Sequence, residues 1–126
     1  MLHVPGLYLS QSEHRGRGVF CWEDLKSKDL IEICPLIMIP EEDVQRIHES
    51  ILHDYYFEYP EPKGSACIAL GYGCLYNHSS HPNAEVAYDM EDQCIHIIST
   101  DAIRAGDEIL IDYSAGEGKK MWFDEC

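Results

Sequence analysis

Three segments that contain glycine hold the residues whose types and spacing could do chemistry. The first is Arg15–Gly18, with the sequence Arg-Gly-Arg-Gly. Two glycines around one residue let the backbone approach a ligand closely and present its N–H groups. The third glycine and the following helix of a dinucleotide fingerprint are missing. A plain turn before a strand is therefore the alternative interpretation of this segment.

The second segment, Gly71–Asn83, contains an asparagine, a histidine and two serines in a row. Such residues are costly to order unless their hydrogen-bonding groups are used. One interpretation is a turn, closed by side-chain hydrogen bonds, that ends at Pro82. A metal site built on His78 and His81 is another, although the spacing supplies only two ligands and no third.

The third segment, Ala105–Tyr113, begins as a turn and continues as an apolar strand with a polar tip. A tyrosine at the end of a strand is by itself typical of amphipathic packing. Taken alone, Tyr113 therefore indicates no chemistry.

The elements that must position these segments are short strands. Alternating or β-branched runs predict them at Leu7–Ser10, Val19–Cys21, Leu30–Ile39, Cys67–Leu70, Ala84–Tyr88, Ile95–Ser99 and Glu108–Tyr113. Pro35 inside Leu30–Ile39 predicts a bend or a change of partner there. Loops are expected at Pro60–Ser65, Asn77–Asn83, Met90–Gln93 and Arg104–Asp107.

One short helix is predicted at about Glu41–Leu52. Pro40 suits a first helical turn, and the acidic residues that follow it suit the positive end of a helix dipole. Apolar residues at helical spacing, Val44, Ile47 and Ile51, complete the pattern. The fold class is therefore mostly β, with too many short strands for a doubly wound sheet.

Composition limits the class of protein and its partners. A chain of 126 residues with 45% hydrophobic residues fits one globular domain. Its net charge of −14 argues against direct binding of nucleic acid and favours cationic partners such as basic peptides.

The cysteines and the apolar runs bear on the compartment. The six cysteines include no C-x-x-C pair, which favours reduced, buried thiols over three disulfides. The apolar runs are far shorter than the ~20 residues that a bilayer requires. We therefore expect a cytoplasmic protein without membrane attachment, with the nucleus, or a host nucleus, as the alternative location.

The three segments in this order resemble the SET-domain family of protein lysine methyltransferases. That family shows a G-x-G, an N-H-S-x-x-P-N and a G-[ED]-E-[IL]-x-[IF]-D-Y motif, matched here by Gly16–Gly18, Asn77–Asn83 and Gly106–Tyr113. The resemblance extends over residues 7–123, and Ala69–Gly73 is most similar to the compact viral and bacterial members. It implies a single SET domain over residues 1–126, with a core at about 7–114 and a short tail at 115–126.

The fold that this resemblance implies is a β-clip of several short sheets. A C-terminal pseudoknot would place Asn77 and His78 beside Tyr113. Many eukaryotic members of the family have a structural zinc held by a cysteine after N-H-S and by a cysteine-rich tail. Here that position is Ser80 and the tail 114–126 has one cysteine, so no metal is expected.

The activity that the resemblance implies is methyl transfer from S-adenosylmethionine to the ε-amine of a lysine in a basic, histone-like protein. Tyr113 would be the catalytic residue, and Ile111 would help shape the lysine channel. The other channel candidates are Tyr55, Tyr56 and Tyr72. The implied cofactor-binding residues are Arg15, Gly16, Arg17, Gly18, Asn77, His78, Tyr113 and Trp122.

Two alternatives remain open from the sequence. One is a catalytically silent SET-like module that only binds basic peptides. The other is a metal-dependent hydrolase built on His78, His81 and nearby carboxylates. So small a domain could also form a homodimer to complete its substrate groove.

Overall fold

The computed structural model describes residues 6–12 and 16–112, which form short strands in three sheets, one α-helix and one 3₁₀ helix. The mostly β architecture predicted from the sequence is confirmed. The strands are β1 (Leu7–Gln11), β2 (Arg17–Cys21), β3 (Leu30–Ile39), β4 (Phe57–Glu58), β5 (Ala66–Ala69), β6 (Asn77–His78), β7 (Ala84–Asp89), β8 (Cys94–Ser99) and β9 (Leu110–Ile111). The helix α1 is Glu41–His48, and the 3₁₀ helix is Ile51–Asp54.

The largest sheet is built around β3, which changes partner at Pro35. Up to Pro35 the strand pairs antiparallel with β8, and from Leu36 onward it pairs antiparallel with β5. Proline has no N–H to donate to a ladder, so it suits the point where one ladder ends and another begins. The predicted change of partner is confirmed, and the resulting strand order is β4-β5-β3-β8-β7.

The α-helix is shorter than the sequence predicted. It begins at Glu41 as expected but ends at His48, not at Leu52. The cause is Ser50, which is extended and whose hydroxyl accepts a hydrogen bond from the Leu52 N–H at 3.0 Å. A serine side chain that caps a new turn competes with continuation of the old helix. The last predicted turn is therefore a separate 3₁₀ helix.

The core collects apolar side chains from all three sheets. Fully buried members include Val19, Ile31, Phe57, Tyr76, Ile95, Ile97, Ile109 and Ile111. Five cysteines lie within the described ranges, and all five are free thiols, as the sequence predicted. Burial raises the pKa of the Cys67 thiol to about 12, so this thiol is protonated and unreactive near neutral pH.

The second and third sequence segments meet in the smallest sheet. Asn77–His78, predicted to be part of a loop, forms β6 and pairs in parallel with Leu110–Ile111. The segment predicted as one strand, Glu108–Tyr113, is divided, because Glu108 forms an isolated bridge with Phe20 on β2 and only Leu110–Ile111 pair with β6. The parallel pair brings the two segments together, while Tyr113, beside which the resemblance would place Asn77 and His78, lies outside the described residues. The threading of a pseudoknot stays a prediction.

Within residues 6–12 and 16–112, no helix has both the length and the apolar character needed to span a membrane.

Candidate active site

The amide of Asn77 is the point where the three segments meet. This side chain is 8% exposed on β6. Its Nδ2 donates to the carbonyl oxygen of Arg17 at 3.1 Å and to the carboxylate of Glu108 at 2.7 Å. One residue from each segment therefore takes part in a single hydrogen-bonded group. The placement of Asn77 beside Tyr113 that the resemblance implies stays a prediction, because Tyr113 lies outside the described residues.

Glu108 is a site residue that the sequence analysis missed. One of its carboxylate oxygens accepts from Asn77, and the other accepts from the hydroxyl of Ser12 at 2.8 Å. Its position inside the third motif could have marked Glu108 as a site residue, but a glutamate in a sequence does not by itself indicate which donors it binds. The carboxylate therefore links Ser12, just after β1, to Asn77 on β6.

Asn83 holds the other end of the second segment against β9. Its Nδ2 donates to the carbonyl oxygen of Glu108 at 2.9 Å, and its Oδ1 accepts from the N–H of Leu110 at 2.8 Å. The Asn83 N–H in turn donates to the Leu110 carbonyl oxygen at 3.1 Å. The amide thus extends the hydrogen-bonding pattern of the short parallel pair.

The two histidines of the second segment have different surroundings. His78 is 8% exposed and its Nδ1 lies 3.6 Å from the carboxylate of Asp112. His81 is exposed, with its Nδ1 3.3 Å from the hydroxyl of Ser80. Among the described residues, neither histidine belongs to a group of three side chains able to hold a metal ion. Within the described residues, the structure therefore gives no support to the metal site of the hydrolase alternative.

The two glycines of the first segment serve different purposes. A Cβ at Gly18 would lie 2.1 Å from a carboxylate oxygen of Glu108 and 2.9 Å from Asn77 Nδ2, so an added methyl group would have to displace these side chains. Gly16 has φ +73°, which L side chains rarely adopt, but no described atom lies within 4 Å of its Cβ position. Gly18 is required by packing and Gly16 by conformation.

This difference predicts the behaviour of Gly18→Ala. We expect it to lower the free energy of unfolding by about 1–3 kcal/mol, because the added methyl group overpacks the contact between Glu108 and Asn77. In a Glu108→Ala background the same change should cost much less, since the closest obstacle is gone. Urea unfolding of the four proteins in this cycle measures the coupling.

Gly16→Ala is the matched control, because its cost comes from backbone strain and not from Glu108. It should destabilise the protein equally in both backgrounds. If Gly18→Ala shows no coupling to Glu108→Ala, the close approach of the Glu108 carboxylate to Gly18 is contradicted.

The candidate channel residues come from two places in the fold. Tyr55 and Tyr56 follow the 3₁₀ helix; Tyr55 is 39% exposed, while Tyr56 is fully buried with its hydroxyl 3.2 Å from His48 Nδ1. Tyr72 packs against the core cluster that includes the fully buried Ile111. The structure thus brings Tyr72 and Ile111 to a common cluster, and the channel itself stays a prediction.

A buried carboxylate fixes the turn that leads into β6. Glu32 is 1% exposed and accepts from the Tyr76 hydroxyl at 2.7 Å and from the Tyr72 N–H at 2.9 Å. Burial and the charge of Glu32 raise the pKa of Tyr76 well above its usual value, so the phenol stays a proton donor. The sequence analysis missed both Glu32 and Tyr76, because a glutamate inside a β-branched strand resembles a solvent-facing residue.

Arg17 lies on β2 with its side chain exposed. Three other predicted site residues, Arg15, Tyr113 and Trp122, lie outside the described residues.

Comparison with known proteins gives consistent matches. The SET domain family matches residues 16–114. A Schizosaccharomyces pombe histone-lysine N-methyltransferase, specific for H3 lysine-37, is 30% identical over 120 residues, covering 94% of this chain and 78% of that protein. The crystal structure of a Plasmodium falciparum protein assigned as a histone methyltransferase is 35% identical, with a TM-score of 0.72, covering 88% of this chain and 95% of that one. Both relatives are eukaryotic, and the finer resemblance to viral and bacterial members stays a prediction.

Proposed function

The chain belongs to the SET-domain family of protein-lysine methyltransferases, and on this premise we propose that it transfers the methyl group of S-adenosylmethionine to a lysine of a basic, histone-like protein. The observation that carries the proposal is the Asn77 amide, which joins the three segments at one place. The two relatives, named as histone methyltransferases, support the class of substrate. The net charge of −14 supports a cationic partner.

The residues around Asn77 fit the cofactor. Both acceptors of its Nδ2 belong to the protein, so the amide orientation is fixed and Oδ1 is the acceptor left for a ligand ammonium group. Arg17 offers an exposed cation for a ligand carboxylate, and Gly16 leaves space for close approach. When bound, the cofactor supplies an electrophilic methyl group on a sulfonium.

The chain has to hold a neutral lysine amine in line with that methyl group. Free lysine has a pKa of about 10.4, so deprotonation near pH 7.5 costs ~4 kcal/mol. An apolar channel disfavours the ammonium and lowers this cost.

We propose a role for each candidate residue. The residues that would line the lysine channel are Tyr55, Tyr56, Tyr72 and Ile111. Tyr113 would orient the amine, and His78 and Trp122 would contact the adenosine part of the cofactor. Arg15 would help Arg17 to bind the carboxylate of the cofactor.

The first prediction from this proposal concerns Asn77→Ala. The variant loses the fixed acceptor and leaves the Glu108 carboxylate without one of its donors. We expect affinity for S-adenosylmethionine to fall by about 10- to 150-fold, which corresponds to a lost charge-assisted hydrogen bond of ~1.5–3 kcal/mol. Titration calorimetry in the presence of a chelator measures the change.

Ser80→Ala is the control for this experiment, since Ser80 is exposed in the same segment. Its affinity should match that of the unmodified chain. Equal affinities for Asn77→Ala and the unmodified chain would remove Asn77 from the cofactor site.

The activity itself is tested by incubating the protein with a mixture of histones and isotope-labelled cofactor, followed by mass spectrometry of the products. Label on lysine side chains is the expected result. Saturable cofactor binding and peptide binding without any label transfer would favour the silent binding module instead.

A homodimer stays a prediction, which light scattering of the purified chain checks.

A further inference from the structure

Three side chains with metal-binding donors converge on the β7–β8 hairpin, on residues that the proposed methyl transfer does not use. Asp89 and Cys94 face each other directly across the antiparallel pair. His96 is two residues from Cys94 on β8, and side chains at that spacing lie on the same face of a strand. The hairpin register therefore places all three side chains on one face.

The distances between the donor atoms suit a shared ion. One ligand atom from each of Asp89, Cys94 and His96 lies within 4.8 Å of the other two. His96 Nε2 is 3.8 Å from Asp89 Oδ2. Ligand bonds of about 2.0–2.3 Å in a tetrahedral site separate neighbouring donors by ~3–4 Å, so only small side-chain movements are required.

The hairpin turn already orients the carboxylate. The N–H of Asp92 donates to Asp89 Oδ1 at 3.2 Å, and the other oxygen, Oδ2, is the one that faces His96. The carboxylates of Asp89 and Asp92 would attract a divalent cation at this position, and the cation would stabilise a Cys94 thiolate.

The chemistry of the donors indicates which ion. A thiolate, an imidazole and a carboxylate are together a borderline-soft set, which suits Zn²⁺ and not the all-oxygen preferences of Mg²⁺ or Ca²⁺. Cys94 is buried, whereas Asp89 and His96 are half-buried and leave a path from solvent. Three protein ligands leave a fourth position for water.

We propose that Asp89, Cys94 and His96 form a Zn²⁺-binding site that joins the two strands of the β7–β8 hairpin. This proposal departs from the sequence analysis, which expected no metal in the chain on the grounds of Ser80 and the C-terminal tail; the hairpin site uses different residues. Because the ion would bind the folded hairpin, it should stabilise the native state by mass action. β7 is the edge strand of the large sheet, and a metal ion bound by residues of both strands would hold β7 against β8.

The test uses the full chain, first treated with a chelator that is then removed. Titration with zinc chloride against a chromophoric competitor should show binding of a single ion per chain. His96→Gln and Asp89→Asn should each weaken binding by more than about tenfold, because loss of even an outer-shell partner costs ~10–100-fold. Co²⁺ in place of zinc should give a thiolate-to-metal charge-transfer band that Cys94→Ser removes.

His81→Gln is the matched control, since His81 is an exposed histidine outside the hairpin. Its zinc affinity should be unchanged. Absence of zinc binding in the unmodified chain, unchanged affinity in His96→Gln, or a comparable loss in His81→Gln would each overturn the site. If Cys94→Ser does not fold, the half-buried His96→Gln decides the result alone.

Discussion

Tyr113→Phe is expected to lower the single-turnover rate of lysine methylation by about 10²–10³ while leaving cofactor affinity nearly unchanged. The phenol oxygen is proposed to act at the reacting amine, where it contributes mainly in the transition state. Loss of such an interaction lowers kcat and kcat/KM together. The measurement is methylation of a lysine-rich peptide at saturating cofactor, with the unmodified chain assayed in parallel.

The ring remains in Tyr113→Phe, so the thermal midpoints of the two proteins should agree closely. Tyr8→Phe is a matched control, because the Tyr8 ring stacks on Phe20 and Trp22 and is proposed neither for the cofactor site nor for the lysine channel. A rate for Tyr113→Phe within about threefold of the unmodified chain would exclude Tyr113 as the catalytic residue. A variant that also fails to bind cofactor would make the residue structural.

A chain that ends at Ala105 is expected to lose cooperative thermal unfolding altogether. The truncation removes Ile109 and Ile111, which are fully buried, and the bond from the Ile109 N–H to the Val19 carbonyl oxygen at 2.8 Å. Removal of one large aliphatic side chain from a core costs about 2–5 kcal/mol, and the whole stability of a domain is ~5–15 kcal/mol. Calorimetry and circular dichroism follow the transition.

A chain that ends at Ser114 is the control, because it keeps β9 and every described residue. It should still unfold in one cooperative step. If the shorter chain melts as sharply as the full one, the pseudoknot implied by the family resemblance is wrong.

The sequence predicted the large sheet well because its signals are local. β-branched runs and Pro35 determine where β3 lies and where it changes partner, and both are visible in a window of ten residues. The end of α1 was harder to predict. The apolar spacing continues past His48, whereas the actual end depends on a single hydroxyl, that of Ser50.

The site was predictable in position but not in its internal connections. Asn77 was identified from a motif, and the structure shows its amide bonded to one residue of each of the other two segments. Its pairing in β6 was missed, because a two-residue parallel strand has no periodicity to detect. Glu108 and Glu32 were missed for a related reason: the role of a buried carboxylate depends on donors that come from distant parts of the chain.

The hydrogen bonds to Glu108 also bear on the order in which the molecule is built. Its two side-chain donors, Ser12 and Asn77, lie 96 and 31 positions away in the sequence. Contacts between distant residues form slowly, because the loop between them must first lose entropy, whereas a hairpin such as β7–β8 closes early. During synthesis Glu108 leaves the ribosome after both donors, since domains are made from the N-terminal side. Under the proposed function, S-adenosylmethionine should therefore bind only after the last folding steps.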